Sequence, residues 1–149
     1  MNVGKRMAGA FLCIALVGVV TRASVADAIL ARGDDAARAG RFVDAVRYYE
    51  RADVVGGTPV AVLDRLALLA LLAPRGRLSA STMTIANAFL AAHPGDAGGR
   101  FDRGLIEWRD HDYMSAAADF GLVAKIDGDP RARAFASAAR RRARSGAPS

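Results

Sequence analysis

Cysteine is almost missing: Cys13 is the only one in 149 residues, so no disulfide can form within one chain. Histidine is nearly as scarce. His93 and His111 are the whole supply, which argues against a zinc cage built from side chains. Aromatic residues make up 7% of the chain, and β-branched residues are thin as well, which removes much of the usual material of strands. Residues 131–149 contain no acid at all. No Gly-rich phosphate loop, nucleophile elbow or pair of catalytic carboxylates occurs, so no enzyme, cofactor or metal is expected.

Alanine and arginine dominate what is there, with 33 and 19 copies against two lysines. Both are strong helix formers. An apolar fraction of 52% excludes a mainly disordered chain, and the length suits one domain. The composition therefore predicts an all-α fold.

The N-terminal stretch reads as an address. Lys5 and Arg6 precede an uncharged run from Met7 to Val20, and small residues follow in Thr21–Ala28. A basic start, an apolar run of about 7 to 15 residues and an A-x-A-like site mark a secretory signal peptide, here residues 1–28. Cleavage is expected after Ala26 or Ala28; an uncleaved membrane anchor is the alternative. Arg22 ends the run before the roughly 20 residues that a spanning helix needs. Cys13, inside the run, reads as a small hydrophobe.

Beyond residue 28 the chain repeats itself. Residues 32–52 and 103–123 share a register at an offset of 71: Arg32 with Arg103, Gly33 with Gly104, Phe42 with Tyr113, Ala45 with Ala116, and Tyr49 with Phe120. A degenerate middle copy fits between them, with Ala70 at the glycine position, Thr82 at the Ala45 position and Ala86 in place of the ring. In 41–52, Phe42, Ala45, Val46, Tyr49 and Ala52 recur at steps of three and four. Asp44, Arg47, Glu50 and Arg51 take the opposite face, the signature of an amphipathic helix. Glycine costs about 1 kcal/mol in a helix relative to alanine, so two at one register imply close helix approach.

These residues resemble the tetratricopeptide repeat, a helix-turn-helix unit of about 34 residues. The resemblance runs from about Asp27 to Pro130; Ile29, Leu66 and Arg100 stand where the family has an early aromatic. It implies an α-solenoid of about three pairs, at 27–57, 63–94 and 97–130. An expected cap over 131–144 and a flexible tail at 145–149 follow. The spacing predicts helices at about 27–38, 42–54, 59–73, 79–92, 97–109, 113–126 and 130–143.

The same resemblance implies a concave groove lined by the first helix of each pair. By position its lining would be Leu30, Asp34 and Arg38, then Ala67 and Leu71, then Phe101, Leu105, Trp108 and Arg109. Trp108 and Phe101 beside Arg109 suit a peptide anchor, since Trp, Tyr and Arg dominate hot spots, although packing against a neighbouring pair is the competing reading. The six arginines Arg131, Arg133, Arg140, Arg141, Arg142 and Arg144 form an electrostatic tail suited to an anionic surface or to a solvated cap. His111, between Asp110 and Asp112, reads as a turn residue, and Asp127-Gly128-Asp129 lacks the rest of a calcium loop. The expected function is a non-catalytic scaffold of the bacterial cell envelope that holds a protein or peptide, with no nucleic acid involved. The alternative is a membrane-anchored assembly factor tethered by its arginine-rich helix.

Overall fold

The computed structural model describes residues 22–72 and 80–146, and all seven elements among them are helices. They are α1 over 22–38, α2 Phe42–Val54, α3 Pro59–Leu72, α4 Ala80–Ala92, α5 Ala97–Arg109, α6 Tyr113–Ile126 and α7 Pro130–Ser145. The periodicity placed these boundaries well, with two differences. Helix α1 already runs at residue 22, so Arg22–Ala28 are helical, and α7 continues through Ser145, whose hydroxyl donates to the Arg142 carbonyl at 2.9 Å. The apolar run Met7–Val20 lies outside the described residues. No helix among those described is long and apolar enough to cross a membrane.

Helix α3 is the hub. Its sequence, PVAVLDRLALLALL, is apolar almost all round, as a helix covered on several sides should be. Val62, Leu66 and Leu69 join a core with Ile29, Leu30, Ala36, Ala45, Tyr49 and Ala52 from α1 and α2. Leu63 and Ala70 meet Ala86, Phe89 and Leu90 of α4 and Ile106 of α5. Ala67 enters a third core, with Leu105, Ala116, Ala117, Phe120, Ala136 and Ala139. Helices α5, α6 and α7 then stack, α6 lying between α5 and α7. The buried face of α7 is Ala132, Ala136 and Ala139, short side chains that let two helices approach closely.

The glycines at the shared register serve that same need. A methyl added at Gly33 would overlap the Tyr49 ring, and one at Gly104 would lie 2.8 Å from Phe120. The middle copy solves the problem differently. Thr82 and Ala86 are fully buried where the other copies place alanine and a ring. The large ring comes instead from Phe89, one turn later, and it sits against Gly99 in the first turn of α5.

Helix ends repeat as well. The Gly40 amide donates to Ala37 and the Arg41 amide to Ala36, at 3.0 and 2.8 Å. At the same register the His111 amide donates to Trp108 and the Asp112 amide to Glu107, at 3.2 and 2.9 Å. This is the Schellman pairing, which requires a left-handed residue just past the helix. Gly40 has φ +73° and His111 φ +65°. Asp96, Asp112 and Asp129 cap α5, α6 and α7 through backbone amides.

Candidate functional site

Three of the residues expected in the groove are spent on the core: Leu30, Ala67 and Leu105 are at most 5% exposed. Burying such side chains is what joins one hairpin to the next. Leu71 stays 52% exposed, beside Leu68 at 54% and Leu72 at 56%. With Val60 these residues mark the face of α3 that is most exposed among the described residues. Arg38 is exposed and pairs with Asp35 of its own helix at 2.8 Å.

Asp34 is a tie point. It accepts from the Tyr49 hydroxyl at 2.8 Å and from Arg65 Nε and Nη2 at 2.9 and 3.1 Å. Burial pushes its carboxyl upward, but the bonds from Arg65 and Tyr49 outweigh that and hold it below the usual carboxylate range. This fork links α1, α2 and α3, and sequence spacing offered no sign of it.

Phe101 and Trp108 belong to an aromatic cluster rather than standing free. The Phe101 ring meets Phe120 and Phe135 edge-on at 5.2 and 5.7 Å, and Trp108 meets Tyr113 and Phe135 edge-on at 5.4 and 6.0 Å. Edge-to-face pairs at these distances are favourable contacts, and they fasten α7 to α5 and α6. The outer edge of Trp108 borders a hollow of about 500 Å³ with Ala138, Arg141, Arg142 and Ser145. Arg109 lies beside it on α5, half-buried.

Charge inside the third hairpin is dense. Arg103 donates to both oxygens of Asp119 at 2.6 and 2.8 Å, and to Asn87 at 3.1 Å. Glu107 is buried beside them, 3.6 Å from Arg103. Burial first, and then repulsion from Asp119, pushes its carboxyl up to about 7. Asp102 is also pushed up to about 7, by burial and then by a hydrogen bond and charge repulsion from Asp64 of α3. A shift of this kind can mark chemistry, but ion-pair networks produce it too.

His111 Nδ1 lies 2.8 Å from the Tyr113 hydroxyl, and its left-handed backbone closes the α5–α6 turn. No cluster of three or more metal-ligating side chains exists among the described residues. The six tail arginines are all exposed along α7. Arg131 pairs with Asp129 at 3.3 Å, and Arg133 donates to the Gly128 carbonyl at 3.2 Å. No protein-family model matches the chain, and a search of curated proteins finds no match.

Proposed function

We propose that the chain is a non-catalytic interaction scaffold, built from tetratricopeptide-like helical pairs in a short solenoid, that holds a protein or peptide in the cell envelope. The observation that carries this reading is the exposed face of α3, where, among the described residues, Leu68, Leu71 and Leu72 stay more than half exposed on the helix that supplies all three cores. Exposed apolar surface of this kind marks interaction sites. The glycine-against-ring contacts in the first and third hairpins support the repeat reading, because they recur at the spacing of the sequence repeat.

Export through a signal at residues 1–28 is part of the proposal. Of the α1 side chains that enter the core, Ile29, Leu30 and Ala36 lie beyond both cleavage points, and only Ala26 lies before Asp27. The second reading, an anchored factor tethered by its arginines, is favoured by the exposure of all six along α7.

A photo-crosslinking residue at position 71, compared with one at exposed Arg47 on α2, tests the scaffold in living cells. A discrete adduct from 71 and none from 47 is expected; equal labelling, or none from 71, would end this reading. Intact mass after cell fractionation tests the address. A soluble product starting at Asp27 or Ile29 is expected, full-length membrane protein selects the anchored factor, and full-length soluble protein overturns both addresses.

A further inference from the structure

Helix α4 lodges against both α2 and α3. The corresponding place two pairs later, at the C-terminal end of the stack, lies between α6 and α7, and among the described residues it is open. A trough of about 680 Å³ runs there, floored by Ala117, Gly121 and Ala136 and edged by Lys125, Arg133 and Arg140. Small floor residues are what close helix packing requires. Among the described residues no acid lines the trough, and none pairs with Lys125 or Arg140.

We propose that the α6–α7 trough seats a helix from an acidic protein partner, its short side chains on the alanine–glycine floor and its carboxylates between Lys125, Arg133 and Arg140. This rests on the scaffold reading and adds a second surface to it. Two facts favour an acidic helix over an anionic lipid surface. The cations come from two helices and line one concavity, whereas a flat bilayer rewards an outward-facing convex set. The floor is also made of small residues, Ala117, Gly121 and Ala136, which leave room for a second helix to approach. A Cβ at Gly121 would lie 3.8 Å from the Arg140 guanidinium, an ordinary contact, so the backbone there accepts a side chain.

The probe is a fluorescein-labelled synthetic helix of about four turns, alanine-rich, with glutamate along one face. Matched peptides carry glutamine or lysine there, and vesicles of phosphatidylglycerol test lipid. The full chain should bind the glutamate helix saturably and release it as salt rises. Arg140→Glu should weaken binding about tenfold or more. Gly121→Leu, which fills the floor while retaining every cation, should weaken it comparably, with thermal melts of both variants near the parent. Equal binding of the glutamine helix, no binding at all, or indifference to Gly121→Leu would each overturn the proposal. Vesicle binding lost in Arg140→Glu and kept in Gly121→Leu would overturn it in favour of a lipid tether. Crosslinking at Leu71 is independent of this trough, so either surface can fail while the other stands.

Discussion

The first and third hairpins use one contact in two chemistries. Each sets a glycine of its first helix against a ring of its second, Gly33 against Tyr49 and Gly104 against Phe120. Where the ring is phenylalanine, the residue after the glycine is the buried Leu105, and that contact needs no polar partner. Where it is tyrosine, the hydroxyl needs a partner, Asp34 supplies it, and the carboxylate in turn draws Arg65 from the next hairpin. A single oxygen thus converts a local contact into a tie between repeats. The third hairpin shows the reverse at another register: buried Ala36 of the first becomes buried, acid-raised Glu107.

The largest test of this contrast removes a ring. Phe120→Ala should cost about 3 to 5 kcal/mol in denaturant unfolding, because Phe120 is fully buried against α5 and α7. A loss under about 1 kcal/mol would mean that the third core is not organised around it. Next comes a swap of chemistries. Asp34→Leu alone strands the Tyr49 hydroxyl and should cost about 1 to 3 kcal/mol. The Asp34→Leu/Tyr49→Phe double variant, which copies Leu105 and Phe120, should be more stable than that single variant. If the double is the weaker protein, the tie from Arg65 matters more than the hydroxyl.

Acidity separates the hairpins further. A carboxyl raised in the folded chain favours its protonated form there. The stability it contributes is full below the pKa near 4 of an unfolded glutamate, and is lost as pH climbs through about 7. Unfolding free energy should therefore fall across this window, and Glu107→Gln should flatten the fall by about 1 kcal/mol. Asp102 sustains part of the slope, so Asp102→Asn should flatten it further. An unchanged profile in Glu107→Gln would show that Arg103 compensates its charge fully. The smallest effect lies at the turns. His111→Gly should stabilise by about 0.5 kcal/mol and Gly40→Ala destabilise by about 1, as calorimetry would show, since both positions are left-handed.

Much of this architecture was legible because helices announce themselves locally. The period of Phe42, Ala45, Tyr49 and Ala52 depends on neighbours within a few turns, and the Gly33–Gly104 register shows because the chain repeats itself. The intended groove was less legible. Leu30, Ala67 and Leu105 turned inward because periodicity reveals which face of a helix is apolar, and not which neighbour will cover it. Phe89 against Gly99 escaped notice because the ring had moved one turn from the register that the outer copies share.

By itself the sequence determined the all-helical class, the helix limits to within a few residues, and the places of the turns between them. These are short-range quantities, settled by side-chain shape and backbone sterics. Tertiary structure alone decided that α3 would serve three cores and keep a leucine face open, that Asp34 would bind Arg65, and that Glu107 would be buried beside Asp119. Those outcomes depend on which helices meet, and burial and Coulomb energy are set by distances between residues far apart in the chain.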